Sequence, residues 1–265
     1  MDNLLYAFGS TTIAALLLAL MMLAIEAGYR GGRRRRASAD DSLRDQTKVI
    51  EASILGLLSL LLGFTFTMAL QHYDARHHAM VSEANAIGTA WFRAGLLPDP
   101  HGARAAQRLR DYLDLRLQAG EANLTHSHPF AALAEKTAGL QHQLWAEATA
   151  AARKDPGPVT TGLFAQAVND LMDAQVERNA ALERHVPASA IALLIAVAVA
   201  GAFVAGYAAG LGGQRPALGT AALSVIIVLV VFMIADLDRP RRGLVQVGQQ
   251  DLLDLRSALH AEPAR

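Results

Sequence analysis

Four long apolar segments dominate the hydropathy pattern of this chain of 265 residues. They cover residues 4–24, 49–70, 188–209 and 218–235. Each approaches the roughly 20 residues that an α-helix needs to cross about 30 Å of hydrocarbon. Four such segments in so short a chain leave too little polar surface to enclose them as buried helices of a soluble protein. The pattern therefore predicts an all-α membrane protein with four transmembrane helices.

A more polar region, residues 71–187, separates the second and third apolar segments. It has helical periodicity and no alternating strand pattern, so it predicts a helical lobe outside the bilayer. Its first helix should continue the second span without a break to about Gly95, and three more should cover about residues 103–119, 130–153 and 161–187. We expect four of its apolar side chains to be buried: Trp91, Leu113, Trp145 and Leu171.

The predicted organisation along the chain has four parts. Residues 1–70 form the first pair of membrane helices with a basic connecting loop, and residues 71–187 form the lobe. Residues 188–235 form the second membrane pair, and residues 236–265 form a C-terminal tail with a short helix.

Charge is balanced overall, with 24 Lys plus Arg and 24 Asp plus Glu, but it is unevenly placed. The run Arg33 to Arg36 follows the first span, and the positive-inside rule makes that loop cytoplasmic. The N-terminus and the lobe then lie outside the cytoplasm, although Arg239 after the fourth span is a counter-signal. The run is also suited to binding anionic lipid, but a topology anchor is the commoner role.

Candidate chemistry is sparse. Cysteine is absent, which excludes disulfides and thiolate ligands. His72, His77 and His78 cluster after the second span, but their spacing does not supply the ligands of a metal site. No phosphate-binding loop or nucleophile elbow is present, and no basic face indicates nucleic acid. We expect no enzyme activity, no cofactor and no bound metal.

The second span carries a stripe of small and weakly polar residues, at three- or four-residue spacing. Its members are Gly56, Ser59, Gly63, Thr67 and Gln71. Such a stripe permits close packing of helices, and it would also suit the wall of a pore. Two acids at the end of the fourth span, Asp236 and Asp238, are candidate ion-binding residues together with main-chain carbonyls.

Several local strings resemble those of the bestrophin-like domain family of bacterial integral membrane proteins. They are LGFTF at 62–66, YDAR at 73–76, EANAIGTA at 83–90, LLP at 96–98, NDLMD at 169–173 with Arg178, and DLDRP at 236–240. Their order extends over residues 49–259. The resemblance implies a multi-pass protein of the bacterial inner membrane.

This family has a distant likeness to bestrophins, which are oligomeric anion channels with four membrane helices and a pore lined by the second. The string from Asp238 to Gly243 is similar to the segment that follows the last bestrophin membrane helix. The longer acidic run of the animal calcium clasp is missing here. Bestrophins also keep the region between the second and third spans in the cytoplasm, whereas the charge pattern here predicts the opposite.

Together these observations predict a homo-oligomeric ion channel or pore-like membrane protein, with the second span lining the path. Its expected partners are the lipid bilayer, further copies of the chain and inorganic ions, without nucleic acid. The alternative is a non-conducting sensor or scaffold whose lobe binds a ligand or partner.

Overall fold

The computed structural model describes residues 9–121, 127–213, 215, 218–239 and 243–261, and these contain α-helices and no strand. The helices in chain order are α1 Ser10–Arg35, α2 Asp41–Ala94, α3 His101–Glu121, α4 Ser127–Lys154, α5 Leu163–Glu183, α6 Ala188–Gly212, α7 Leu218–Leu237 and α8 Gln250–Ala261. A 3-10 turn, Arg36–Ser38, follows α1, and a π-turn, Pro158–Gly162, precedes α5. Stretches containing α1, α2, α6 and α7 are long and apolar enough to cross a membrane. The predicted all-α fold with four membrane spans is confirmed.

Helix α1 extends further than the first apolar segment. Its predicted start at Leu4 lies outside the described residues, but its end at Arg35 lies well beyond residue 24. Arginine is a good helix former, and cations in the last turn interact favourably with the helix dipole. The predicted basic loop is therefore mostly helix. Asp40 then caps α2 by accepting a hydrogen bond of 2.9 Å from the Leu43 main-chain nitrogen.

Helix α2 runs unbroken for 54 residues. Its continuation from the second span to about Gly95 was predicted, whereas its start at Asp41 lies eight residues before the predicted start of the span at Val49. It ends at Ala94, directly before Gly95 and the turn at Pro98. The helix before the third span is shorter than predicted. It stops at Glu183, and Arg184 is already extended. Helices usually end before a proline, here Pro187.

The chain divides into two compact units. The membrane unit contains the described residues up to Tyr73 and His185–Gln246, and the lobe unit contains Asp74–Arg184 and the described residues from Val247 onward. The membrane unit is held by an aliphatic core in which Leu17, Met21, Leu58, Leu194, Val231 and Ile234 are almost fully buried.

Helices α1 and α6 pack backbone against backbone in the membrane unit. A Cβ atom at Gly28 or Gly32 would collide with the main-chain oxygen of Phe203 or Tyr207. Gly206 and Gly210 of α6 face the main chain of α1 in the same way. Both pairs have the small-xxx-small spacing of closely packed membrane helices, a pattern that the sequence analysis did not identify.

The lobe unit has its own core, formed by the second half of α2 with α3, α4, α5 and α8. Trp91, Leu113 and Leu171 are buried, as predicted. The prediction for Trp145 is wrong, because 39% of this residue is exposed while its neighbour Leu144 is fully buried. From α8, Leu252 and Leu259 join this core, so the lobe unit includes a helix from beyond residues 71–187.

Candidate functional site

The stripe on α2 lies on the surface of the single chain. Gly56, Ser59, Gly63, Thr67 and Gln71 are all exposed. A Cβ atom at Gly56 or Gly63 would meet nothing within 4 Å. No helix in the described part of this chain therefore packs on these two glycines, in contrast to the glycines of α1 and α6.

The opposite side of the same helix segment is the buried one. Leu58, Thr65 and Ala69 are 2%, 6% and 0% exposed. With about 100° per residue, these positions lie about 180° to 220° around the axis from Gly56. Segment 56–71 therefore turns Leu58, Thr65 and Ala69 inward and its small, weakly polar stripe outward.

The stripe hydroxyls are engaged with their own helix. Ser59 Oγ donates to the Leu55 main-chain oxygen at 2.9 Å, and Thr67 Oγ1 donates to that of Gly63 at 2.9 Å. Both residues are exposed, so their hydroxyl oxygens give the stripe a mild polarity. Exposed apolar side chains flank it, including Leu57, Leu60 and Phe64.

Asp238 connects three chain segments in the membrane unit. It is 1% exposed, and its Oδ1 accepts a hydrogen bond of 2.9 Å from the Val186 main-chain nitrogen at the start of α6. His72 Nδ1 lies 3.5 Å from the same oxygen, and His185 Nδ1 lies 3.6 Å from Oδ2. This carboxylate thus joins the end of α7 to the start of α6 and to α2.

Asp236 is 2% exposed and holds the chain that follows α7. Its Oδ2 accepts a hydrogen bond of 3.0 Å from the Val245 main-chain nitrogen. A Cβ atom at Gly243 would lie 2.7 Å from the Asp236 main-chain oxygen, so the return of the chain at this point requires glycine. Both candidate ion-binding carboxylates are therefore already bound to main-chain amides.

The histidines after the second span do not converge. His72 turns to Asp238, whereas His77 and His78 are exposed, with ring centroids 6.2 Å apart. Among the described residues, no group of three or more His, Asp or Glu side chains has a geometry that would hold a metal ion.

A buried ionic cluster in the lobe unit was missed by the sequence analysis. Glu83 is fully buried and accepts hydrogen bonds from Arg116 Nε at 2.6 Å and from Arg178 Nη1 at 2.5 Å. The Tyr112 hydroxyl also donates to it at 3.0 Å. Burial and the Glu83 charge raise the pKa of Tyr112 well above its usual value of 10.0. The cluster joins α2, α3 and α5.

The sequence feature that could have revealed this cluster is the presence of charged residues on otherwise apolar helix faces. Glu83 shares a helix face with Ile87 and Ala90, and Arg178 shares one with Leu171 and Ala174, all of which are buried. A charged residue in such a place needs a charged partner, because an isolated buried charge is strongly unfavourable.

Two further polar contacts stabilise the lobe unit. Arg76 is 3% exposed, and its Nη2 donates to the Arg184 main-chain oxygen at 3.0 Å, beyond the end of α5. Glu147 on α4 accepts a hydrogen bond of 2.5 Å from Arg108 and lies 2.7 Å from His101 Nδ1, both on α3. Burial raises the pKa of Glu147, but the His101 and Arg108 contacts outweigh it and hold that pKa below its usual value of 4.5.

Solved structures with the same fold include bacterial membrane proteins. A crystal structure of a point mutant of a bacterial bestrophin homologue from Klebsiella pneumoniae matches with a TM-score of 0.65 and 15% identity, over 91% of this chain and 98% of that one. Another point mutant of a bacterial bestrophin homologue from Klebsiella pneumoniae matches with a TM-score of 0.65 and 15% identity, over 94% of this chain and 99% of that one. A crystal structure of a membrane protein matches with a TM-score of 0.65 and 14% identity, over 94% of this chain and 96% of that one.

At this low identity, the structural likeness shows a shared fold. None of the curated protein sequences matches the chain. The sequence model of the Bestrophin-like domain matches residues 11–252, which is most of the chain and extends over all four membrane spans. This protein is therefore a membrane protein that belongs to the Bestrophin-like domain family.

Proposed function

We propose that this chain assembles with further copies of itself into an ion channel, with the stripe on α2 lining the conducting path. The proposal places Gly56, Ser59, Gly63, Thr67 and Gln71 around a common axis. Ions would pass along small side chains, hydroxyl lone pairs and the Gln71 amide. The bestrophin homologues of the same fold support a channel function, because bestrophins form channels.

One observation carries the proposal. The stripe faces away from the rest of the membrane unit, while Leu58, Thr65 and Ala69 of the same helix face its core. Lipid chains favour large apolar side chains on the helix faces that they contact. A face with two glycines, two hydroxyls and an amide is better suited to another copy of the chain, or to water between copies.

A non-conducting sensor or scaffold is the second candidate. It is favoured by the unbroken course of α2, which carries both the stripe and Glu83 on one helix of 54 residues. In that function, a ligand or partner of the lobe unit would act through the helix, and the stripe would be a dry contact between subunits.

Reconstitution into liposomes separates the two candidates. The purified full-length oligomer should dissipate an imposed ion gradient, measured with an ion-sensitive dye against liposomes without protein. Absence of flux from an intact oligomer under chloride, potassium and sodium gradients would contradict the channel function and favour the non-conducting sensor or scaffold.

The variant Thr67→Glu tests the placement of the stripe. In a wet path the carboxylate stays hydrated, so we expect normal assembly with altered ion preference. In a dry helix contact the charge would cost roughly 2.5 to 3.5 kcal/mol and impair assembly. Thr65→Glu is the matched control, because Thr65 is 6% exposed on the opposite side of the helix and should not tolerate a carboxylate. Loss of the oligomer in both variants would contradict pore lining by Thr67.

A further inference from the structure

A cluster of exposed arginines lies at one end of the membrane unit. We call it the arginine patch and define it as Arg33, Arg34, Arg35, Arg36 and Arg215. The first 20 or so residues of α1, from Ser10 to about Tyr29, are enough to cross about 30 Å of hydrocarbon. The arginines of the patch on α1 therefore lie beyond the hydrocarbon, on the side of the lipid headgroups.

The fold brings the two parts of the patch together, although 178 residues or more separate Arg215 from the others in sequence. Glycine packing holds the last turns of α1 and α6 in contact, and Gly213, with a φ of 74°, ends α6 in a left-handed turn. The Arg36 guanidinium lies against Gly213. The Arg215 guanidinium lies 6.0 Å from the ring centre of Tyr29.

Four nearby carboxylates are engaged with other groups. Asp40 caps the Leu43 nitrogen, and three further acids pair locally: Glu26 with Arg30 at 2.7 Å, Asp41 with Arg44 at 3.6 Å and Asp45 with Lys48 at 3.1 Å. In the part of the chain that the structure describes, no carboxylate forms a salt bridge with an arginine of the patch. Five cations thus stand together without a carboxylate partner among the residues that the structure describes.

We propose that the arginine patch binds the phosphate groups of anionic phospholipids in the membrane surface. The planar guanidinium group is suited to phosphate, because its paired N–H donors match two phosphate oxygens. The ring of Tyr29, near the end of the span, lies within cation–π distance of the Arg215 guanidinium and helps to hold it. A topology signal would need only the charges of Arg33 to Arg36. The fold adds a further cation, Arg215, which follows the C-terminal end of α6.

The test measures binding of a short-chain anionic lipid, dioctanoyl-phosphatidylglycerol, to the purified full-length protein in neutral detergent. The variant R33Q/R34Q/R35Q/R36Q/R215Q removes the patch, and the variant with lysine at the same five positions keeps its charge. The control R104Q/K136Q/R153Q/K154Q removes four exposed cations of the lobe unit. Measurement in detergent makes the result independent of how each variant inserts in cells.

We expect wild-type protein and the lobe control to bind the anionic lipid alike, and dioctanoyl-phosphatidylcholine to bind much more weakly. Each basic residue near an anionic surface contributes about 1 kcal/mol, or about fivefold. The glutamine variant should therefore bind at least about tenfold more weakly, with a smaller salt dependence, and the lysine variant should fall between. Equal binding by the glutamine variant and wild type would overturn the proposal.

Two further outcomes have a definite meaning. If inorganic phosphate binds as tightly as the anionic lipid and displaces it, the patch is a site for free anions and the lipid proposal is overturned. If the glutamine variant does not fold, phosphatidylglycerol that copurifies with wild-type protein decides the matter in native mass spectrometry. Its retention over phosphatidylcholine, and its loss at high salt, would support the proposal, whereas equal retention of both lipids would overturn it.

Discussion

Arg178 donates a hydrogen bond of 2.5 Å to the fully buried carboxylate of Glu83, and the two residues are 95 positions apart in sequence. Arg116 shares this carboxylate through two hydrogen bonds of 2.6 and 3.2 Å. Three helices of the lobe unit are thus connected through one acidic side chain.

Glu83→Gln should destabilise the lobe unit strongly. Removing one partner of a buried ion pair typically costs about 3 to 5 kcal/mol, because the remaining charges stay buried without compensation. The melting temperature of the purified protein in detergent measures the effect. Glu177→Gln is the control, since Glu177 is exposed next to Arg178 in sequence. Equal melting temperatures for the two variants would contradict a structural role for Glu83.

Two glycines of α1, Gly28 and Gly31, should respond differently to the same substitution. Gly28→Ala places a methyl group against the α6 main chain, and such overpacking typically costs about 1 to 3 kcal/mol. At Gly31, the new methyl group would be 3.6 Å from the Tyr207 ring, which is an ordinary contact. Gly31→Ala should be neutral or slightly stabilising, because alanine favours helix over glycine by up to about 1 kcal/mol. Melting of both variants in detergent checks this.

Leu144 and Trp145 are adjacent on α4 but have different surroundings. Leu144 is fully buried, so Leu144→Ala should cost about 2 to 5 kcal/mol. Trp145 is 39% exposed, and Trp145→Ala should therefore lower the melting temperature less than Leu144→Ala does. The reverse order would mean that the phase of α4 differs from the one described.

The contact of Glu147 with His101 and Arg108 should make lobe stability depend on acid pH. A carboxyl group with a lowered folded-state pKa contributes stability above its unfolded pKa, and this is lost as pH falls through the folded value. At pH 7, Glu147→Gln should destabilise by about 1 to 3 kcal/mol, since it weakens a buried polar contact. The difference in melting temperature should shrink as pH falls below about 4.5. A constant difference down to pH 3 would contradict this contact.

The membrane orientation predicted from charge can be tested by cysteine labelling, because the natural chain contains no cysteine. Ser38→Cys lies next to the arginine run and Thr149→Cys lies in the lobe unit, and both positions are exposed. With a cytoplasmic arginine run, an impermeant thiol reagent applied to intact cells should label only Thr149→Cys. Labelling of Ser38→Cys alone would establish the bestrophin-type orientation.

The elements that were predictable from sequence depend on local information. Most of helix α2 was predicted, from Val49 to about Gly95, because its periodic pattern meets no breaker before Gly95. Its first two turns, residues 41–48, were assigned to the connecting loop. Each membrane span was recognisable from its length. Trp145 was misplaced because a one-residue error turns a helix by about 100°, and the inward face of α4 is marked mainly by alanines such as Ala148 and Ala151. Alanine fits either face of a helix, so the large aromatic side chain of Trp145 was assigned to the buried face.

Contacts between distant segments were beyond such reasoning. Asp238 was identified as a candidate for binding ions, yet its oxygen accepts from Val186, 52 positions earlier in the chain. Nothing local distinguishes a carboxylate that meets a cation from one that meets a main-chain amide. The stripe on α2, in contrast, was predictable as a face, because its members recur at three- or four-residue spacing along one helix.

The glycine contacts of α1 and α6 also limit which genetic changes this protein can tolerate. A clash with a neighbouring side chain can be relieved by a second mutation that shortens that side chain. The obstacle to a larger residue at Gly28 or Gly206 is a main-chain carbonyl, which no substitution on the partner helix can remove. Suppressor selections that start from a substitution at Gly28 or Gly206 should therefore yield reversion to a small residue and few compensating mutations on the other helix.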